Sequence, residues 1–211
     1  VSSTEDDQLA EFKDWWQRNG KPMVTGGLLA LVVVFGWQAF QKYQGNQSQG
    51  ASMLYQQLLE TTLTPTGKPD PAQVADLAGK LKNEFGGSTY AQYGSLFVAK
   101  VAVDTGKLDD AATELKAIAD KPTNPTLGEI ARQRLAQVLA AQNKADEALK
   151  LLDGDADKAF VATREELKGD LLVQLGRTDE AHAAYQKAKA ALSDEAAVGG
   201  LQIKLDDLAK G

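Results

Sequence analysis

The sequence contains no cysteine and a single histidine, His182, among its 211 residues. The absence of cysteine excludes disulfide scaffolds, cysteine-ligated zinc, iron–sulfur clusters and thiol catalysis. It does not fix the compartment, because an oxidising compartment permits disulfides without requiring them. One histidine cannot build a metal site with several histidine ligands, and it disfavours a hydrolytic triad. The composition therefore predicts a protein that is not an enzyme.

A concentrated basic patch is also missing. The chain carries 23 Lys and Arg against 29 Asp and Glu, which gives a formal net charge of −6. Because nucleic-acid binding requires concentrated Lys and Arg to neutralise phosphates, no nucleic-acid partner is predicted. With 43% hydrophobic residues the chain is too apolar to be wholly disordered. Its length allows one or two domains with a sizeable core.

No motif for catalysis or cofactor binding is complete. The stretch 153–157 has the alternating acids that begin a calcium loop. However, Lys158 replaces the expected glycine, and Arg164 replaces the bidentate glutamate that closes such a loop. His182 falls at a position expected to face solvent, and no Gly-rich phosphate loop is present. We predict no catalytic residues, no metal site and no cofactor.

The stretch from Pro22 to Gln41 contains no charged residue. As a helix it would span about 30 Å, the thickness of the hydrocarbon core of a bilayer. An acidic segment precedes it and no cleavage site follows, which disfavours a signal peptide. It also lacks the polar stripe of a core helix. We therefore predict a transmembrane anchor over residues 22–43, inserted in the lipid bilayer. Its defining residues are Val24, Gly26, Leu28, Leu29, Ala30, Leu31, Val32, Val33, Val34, Phe35, Trp37 and Phe40.

The flanking charges predict the orientation of this anchor. Lys13, Arg18 and Lys21 precede it, whereas only Lys42 follows it closely. Positive charge stays on the cytoplasmic side of a membrane, and nearby acids count for little. Residues 1–21 are therefore predicted to form a cytoplasmic tail. The remainder would lie outside, which in a bacterium means the periplasm, so a single-pass membrane protein is predicted.

One short motif occurs three times after the anchor, beginning at Gly106, Asn143 and Gly176 and ending each time in alanine. The spacing approaches the 34-residue period of tetratricopeptide repeats. Gly or Asn reverses the chain between two antiparallel helices because both tolerate positive φ, and the Asp that follows is expected to cap the second helix. Small and large residues at fixed offsets should pack the helices together. These repeat-packing residues are Ala99, Ala111, Leu115, Ala136, Ala148, Leu152, Gly169, Ala181 and Tyr185.

The predicted fold is all-α, with one N-terminal transmembrane helix followed by a tetratricopeptide-like helical solenoid. Residues 44–50, rich in Gln, Asn, Gly and Ser, are expected to be a short linker. The second of the three repeats that carry the motif breaks at Asp153 and Gly154, where the pattern calls for helix to continue. The periplasmic repeat domain, 51–211, is predicted to comprise a degenerate first repeat (51–90), three further repeats (91–123, 128–158 and 161–193) and a capping helix (194–211).

The first helix of each repeat lines the concave face of such an array. Aligning the repeats places a mixture of apolar, polar and charged side chains on this face. The predicted protein-binding groove consists of Leu96, Lys100, Val103, Gln133, Gln137, Glu166, Asp170 and Val173. Such a groove suits an extended or helical polypeptide. The alternative, that these residues only cover the surface, is equally compatible with the sequence.

The complete layout resembles the YfgM family, the ancillary subunits of the Sec translocon. The matching stretches occur in order along nearly the full chain: Trp15-Trp-Gln-Arg-Asn-Gly-Lys21, Gly36-Trp37, Thr89-Tyr-Ala-Gln-Tyr-Gly-Ser-Leu96, Arg134-Leu-Ala-Gln137, Lys144-Ala-Asp-Glu-Ala-Leu-Lys-Leu-Leu-Asp153, Leu167-Lys-Gly169 and Leu201-Gln-Ile-Lys-Leu-Asp-Asp-Leu208. The resemblance implies a single-span inner-membrane protein with a periplasmic repeat domain. It also implies association with the SecYEG translocon and with PpiD, a membrane-anchored chaperone, and contact with exported unfolded polypeptides.

The residues alone predict only a membrane-tethered, protein-binding repeat domain, whose tether would raise its effective concentration near a membrane partner. With the resemblance, the prediction becomes a non-enzymatic ancillary subunit of the Sec translocon that binds PpiD and assists newly exported polypeptides. The alternative is a cell-envelope scaffold or regulatory protein that binds other partners through its repeats. A translocon subunit that docks through its anchor should lose its partner when the anchor is exchanged, whereas a scaffold should not.

Overall fold

The computed structural model describes residues 2–62, 69–192 and 195–209. Every regular element in these ranges is helical, which confirms the all-α prediction. The α-helices are α1 (Ser2–Thr62), α2 (Pro71–Phe85), α3 (Thr89–Asp104), α4 (Leu108–Asp120), α5 (Pro125–Ala141), α6 (Ala145–Leu151), α7 (Val161–Gln174), α8 (Thr178–Ala191) and α9 (Glu195–Leu208). A short 3₁₀ helix, Lys158–Phe160, precedes α7.

The chain divides into two compact units, residues 1–50 and 51–211. In the first unit α1 includes a stretch with a mean hydropathy of 1.8, long and apolar enough to cross a membrane. All the predicted anchor residues lie in this helix with their side chains exposed. Apolar side chains that surround a helix on every face are favoured by lipid and disfavoured by water. The first unit therefore has the surface expected of a membrane anchor.

Residues 44–50, for which the composition predicts a linker, are helical and continue α1. The polar side chains of this stretch are largely exposed, and Gln47 Nε2 donates a hydrogen bond of 3.1 Å to the Tyr43 hydroxyl one turn earlier. Exposed polar residues are compatible with a helix, and a glycine in a helix interior costs only about 1 kcal/mol. The division between the two units nevertheless falls directly after Gly50.

In the second unit each helix packs against the next one along the chain, from α2 to α9. The C-terminal part of α1 begins this series, because its fully buried Ala51 and Leu58 share a core cluster with Val74 and Leu81 of α2. Packing between sequence neighbours is the defining feature of repeat arrays, where each repeat buries its apolar face against the adjacent repeat. The second unit is thus a helical repeat domain.

The three copies of the short motif form the same turn. Gly106, Asn143 and Gly176 all have positive φ, at 76°, 61° and 72°. In each turn the N–H of the next residue donates a 2.8 Å hydrogen bond to the carbonyl five positions earlier, on Ala102, Leu139 and Leu172 respectively. This is the bond that closes a Schellman motif at a helix C-terminus.

The expected Asp caps are absent from these turns. The residues before α4, α6 and α8 are Lys107, Lys144 and Arg177, none of which makes a side-chain capping bond. The acids instead lie within the first turn of each helix, for example Asp109 and Asp110 in α4. Negative charge there is stabilised by the helix dipole, so these acids still favour the start of the helix without capping it.

The residues predicted to pack the repeats are all buried. Ala111, Ala136, Ala148 and Ala181 have no exposed surface. A larger side chain at such positions would force two closely packed helices apart. Small residues at this period therefore set the distance between neighbouring helices of the array.

The repeat at 128–158 is irregular at the predicted place. Helix α6 has seven residues, whereas α8, the equivalent helix of the next repeat, has 14. After α6 the chain turns through Gly154, whose φ is 88°, and enters the 3₁₀ helix, which is capped by a 2.9 Å hydrogen bond from Ala159 N–H to Asp157 Oδ1. The middle of the array therefore has a shorter second helix than its neighbour.

Candidate protein-binding groove

A cavity of about 570 Å³ opens among the first helices of consecutive repeats, α1, α3 and α5, and two leucines of α4 also line it. We call it the aromatic groove. It is defined by Tyr55 of α1, by Tyr93, Phe97 and Val103 of α3, and by Arg134 and Gln137 of α5. First helices line the concave face of a repeat array, so this cavity lies on the face from which repeat proteins bind partners. All of its residues belong to the second unit.

One wall of the aromatic groove is a cluster of rings. The ring centroid of Tyr55 lies 5.4 Å from that of Tyr90, 5.6 Å from that of Tyr93 and 6.2 Å from that of Phe97. Burial raises the pKa of Tyr55, and the neighbouring Tyr93 and Tyr90 raise it further. The Tyr55 hydroxyl therefore stays protonated and neutral at physiological pH. Such a wall offers apolar contact area with little loss of side-chain entropy on binding.

The charges at the edge of the groove are unequally paired. Lys100 Nζ lies 2.6 Å from Asp104 Oδ2, one turn along α3, so these two charges compensate each other. Arg134 is exposed and lines the same cavity. No acidic side chain in the part of the chain that the structure describes pairs with Arg134. The aromatic groove therefore carries one uncompensated positive charge in a protein whose net charge is negative.

The structure separates the predicted groove residues into two groups. Leu96, Lys100, Val103 and Gln137 line the aromatic groove. Gln133 does not line it. Its side-chain amide donates a 2.9 Å hydrogen bond to Glu129 Oε1 on the same helix.

The three predicted groove residues of α7 lie elsewhere. Glu166 and Asp170 bind Lys204 of α9, with distances of 2.8 Å and 2.6 Å from the lysine Nζ. Asp170 also accepts a 2.7 Å hydrogen bond from the Tyr185 hydroxyl. Val173 is 43% exposed, but it does not line the aromatic groove. The end of the array is thus engaged by the chain's own terminal helix.

The charges of this Lys204 site support one another. Burial by itself would lower the pKa of Lys204, but its contacts with Asp170 and Glu166 outweigh burial and raise that pKa. Burial and the hydrogen bond to Asp170 likewise raise the pKa of Tyr185. Lys204 Nζ also lies 5.4 Å from the centroid of the Tyr185 ring, within the range of a cation–π interaction. Lys204 therefore stays charged and the Tyr185 hydroxyl stays protonated at neutral pH.

A buried ion pair joins the two successive repeats at 128–158 and 161–193. Arg164 of α7 donates from Nε and Nη2 to the two carboxylate oxygens of Glu129 in α5, and the two side chains are 3% and 8% exposed. Arg164 Nη1 also donates to the Gly154 carbonyl, at 3.1 Å. Burial alone would raise the pKa of Glu129, but the donors Arg164, Gln133 and Arg132 lower it. The pair therefore stays charged and fixes the irregular loop after α6.

Sequence reasoning missed several of these residues. Tyr55 lies in the degenerate first repeat, where no motif sets the register. Tyr93 and Phe97 face the groove as an i, i+4 aromatic pair, a signal that was present in the sequence. Glu129 and Arg164 are 35 positions apart, about one repeat period, so opposite charges at one register in successive repeats would have revealed them.

The structure offers no obvious site for chemistry within the ranges it describes. No group of three or more His, Asp or Glu side chains in those ranges is placed to hold a metal ion. His182 lies exposed on α8. In the acidic stretch 153–157, Asp157 is used to cap the 3₁₀ helix.

Comparison with known proteins gives a consistent result. The family model described as a tetratricopeptide repeat-like domain matches residues 13–210. A protein of Escherichia coli named ancillary SecYEG translocon subunit is 28% identical over 209 residues, covering 99% of this chain and 98% of its own. Proteins of the same name from Neisseria gonorrhoeae (28% over 206 residues, 97% of each chain) and Haemophilus influenzae (26% over 188 residues, 89% of this chain and 90% of its own) match similarly. The resemblance predicted from the sequence motifs is confirmed.

Proposed function

The chain belongs to the tetratricopeptide repeat-like domain family, and from this premise we propose that it is a membrane-anchored, non-enzymatic ancillary subunit of the SecYEG translocon. The observation that carries the proposal is the near end-to-end match to relatives of that name, which includes both the anchor and the repeats. The anchor would hold the protein beside the channel. The repeats would bind the chaperone PpiD or a polypeptide that emerges from the channel.

The proposed orientation places residues 1–21 in the cytoplasm and the repeat domain in the periplasm. It rests on Lys13, Arg18 and Lys21, which precede the anchor, against Lys42 alone close behind it. In this orientation the aromatic groove is on the side of the membrane where exported chains emerge unfolded, with apolar side chains still exposed. A partly apolar groove on a tethered domain suits brief contacts with such chains.

A pull-down in mild detergent tests this proposal. Full-length protein with a C-terminal tag is compared with a variant whose residues 24–40 are replaced by an unrelated membrane span. We expect the native protein to recover SecY and PpiD, and the anchor-swapped variant to lose SecY. Recovery of envelope or division proteins by both versions, without SecY, would contradict the proposal and favour the cell-envelope scaffold.

A further inference from the structure

Among the first helices of the repeats that the structure describes, Arg134 differs from the other basic side chains. Lys100 of α3 pairs with Asp104, Arg132 of α5 with Glu129, and Arg164 of α7 also with Glu129. Lys168 of α7 pairs with Glu165 at 3.1 Å. Across the described α3, α5 and α7, Arg134 alone has no acidic partner, and it lines the aromatic groove.

The two ends of the array have opposite character. At the α7 end, two carboxylates are already satisfied by Lys204 from the chain's own terminal helix. At the α3–α5 end, an aromatic wall stands beside a guanidinium that has no partner. Arginine presents a planar fork of donors that matches a carboxylate, so an unpaired arginine beside an apolar wall favours a ligand that is apolar and also carries an acid.

We infer that the aromatic groove binds an apolar polypeptide segment containing an acidic side chain, and that Arg134 pairs with that acid. The apolar side chains of the segment pack on Tyr55, Tyr93 and Phe97, and the Glu or Asp carboxylate accepts from the guanidinium. This inference deepens the proposed function and rests on it, since it names the chemistry of the segment that the repeats take. It also predicts that the groove discriminates among segments by charge.

The first experiment measures peptide binding by fluorescence anisotropy with the full-length protein in lipid nanodiscs. Three soluble peptides of alternating leucine and serine are compared, each acetylated and amidated so that its termini are neutral. They differ at one central position, which is Glu, Gln or Lys, and empty nanodiscs report binding to lipid. We expect the Glu peptide to bind roughly two- to fivefold more tightly than the Gln peptide, the gain expected for an exposed charge pair, and the Lys peptide to bind weakest.

Variants of Arg134 assign this preference to the arginine. Arg134→Gln should reduce binding of the Glu peptide to the level of the Gln peptide and leave the Gln peptide unchanged. Arg134→Lys keeps the charge but not the planar fork of donors, so it should keep only part of the preference, whereas Arg134→Glu should reverse it toward the Lys peptide. The matched control is Lys187→Gln, which removes one positive charge from an exposed position on α8 and should change nothing.

A second pair of variants tests the location of the segment. Val103 and Val173 are 41% and 43% exposed and lie near the ends of α3 and α7, but only Val103 lines the aromatic groove. Val103→Asn should weaken binding of all three peptides several-fold, and Val173→Asn should not weaken binding of any of them. Equal losses from both substitutions would show that the segment lies along another surface and would overturn the inference.

The remaining outcomes separate this inference from the proposed function. Equal affinity for the three peptides, with a loss in Val103→Asn only, would overturn the acidic preference and leave a groove without charge selection. If the protein is a dimer and binds none of the peptides, the inference is overturned, and a second copy of the chain is favoured as the occupant of the groove. If the protein is a monomer and binds none of the peptides, the inference is overturned as well. None of these results affects co-purification with SecY, which is the test of the proposed function.

Discussion

Arg164 of α7 donates to both carboxylate oxygens of Glu129 in α5, and both side chains are buried. The two residues are 35 positions apart, so the pair links equivalent helices of successive repeats. Because α6 between them has only seven residues, this polar contact lies where the array has a shortened second helix. The pair also fixes the chain after α6 through the Gly154 carbonyl.

Removing one member of this pair should be strongly destabilising. Arg164→Gln leaves the Glu129 carboxylate buried without its main partner, and breaking a buried pair in this way typically costs about 3–5 kcal/mol. We expect a loss near the lower end, because Arg132 and Gln133 still donate to Glu129. Urea unfolding of the full-length protein in detergent measures the change in the free energy of unfolding. Hydrogen exchange of the native protein in α5 and α7 shows where the destabilisation lies.

The surface pair Lys100–Asp104 provides the control for this measurement. Asp104→Asn should alter the free energy of unfolding by no more than about 1 kcal/mol, since exposed ion pairs contribute little. Similar decreases in the free energy of unfolding for Arg164→Gln and Asp104→Asn would contradict the prediction that the buried Glu129–Arg164 pair contributes more than an exposed pair.

The same pair predicts a pH dependence of stability. The pKa of Glu129 is lowered in the folded protein, so the unfolded chain binds the proton more readily. The contribution of Glu129 is therefore complete above its ordinary pKa of 4.5 and is lost as the pH falls below that value through the folded pKa. Unfolding free energies from pH 7 down to pH 3 should converge for the native protein and Glu129→Gln. Parallel curves would show that this carboxyl does not contribute.

Gly169 in α7 should tolerate no larger residue. A Cβ atom at this position would overlap the ring of Tyr185, which is itself 3% exposed and held by Asp170. Gly169→Ala must displace the ring or separate α7 from α8, and we expect a loss of about 1–3 kcal/mol. Hydrogen exchange in α7 and α8 of the full-length protein would detect the loosened contact.

Gly79 in α2 is the matched control for Gly169. It also lies inside a helix, but a Cβ atom there would meet nothing within 4 Å. Because alanine favours a helix over glycine by up to about 1 kcal/mol, Gly79→Ala should leave stability unchanged or raise it slightly. A loss at Gly79 as large as that at Gly169 would contradict this explanation, because it would show that an added methyl group destabilises the array without contact with Tyr185.

Lys204 should hold the terminal helix against the array. Lys204→Met removes its contacts with Glu166 and Asp170, and because these side chains are partly exposed we expect a local cost of roughly 1 kcal/mol. Hydrogen exchange should become faster in residues 198–208 and stay unchanged in α3 to α5. Lys187→Met is the control, since that exposed lysine lies on α8 away from this site. Unaltered exchange in 198–208 would show that apolar contacts alone hold α9.

Much of the fold followed from periodicity in the sequence. The repeated motif predicted three turns, and Gly106, Asn143 and Gly176 have the positive φ that such turns require. The small residues at that period, such as Ala111 and Ala148, are fully buried. These features depend on local conformation and residue size, which a single sequence displays directly.

The detailed groove did not follow from the sequence, because it depends on side chains that meet across different helices. Repeat alignment placed Glu166 and Asp170 on the concave face, but it could not reveal that Lys204 binds both. Several polar contacts between repeats join residues about one period apart, including Asp109 with Gln142 and Asp170 with Lys204. A search for complementary side chains at that separation would have recovered them.

The short α6 has a mechanical consequence for the proposed function, in which the protein works beside moving polypeptide chains. In a repeat array each unit is held only by its neighbours, so a pulling force is resisted no better than by the weakest interface. Helix α6 offers half the length of α8, and the Glu129–Arg164 pair reinforces the array at this point. Ion pairs rupture over short extensions. We therefore expect α7 to α9 to detach under tension as one block, while the aromatic groove stays assembled on the α1–α5 side.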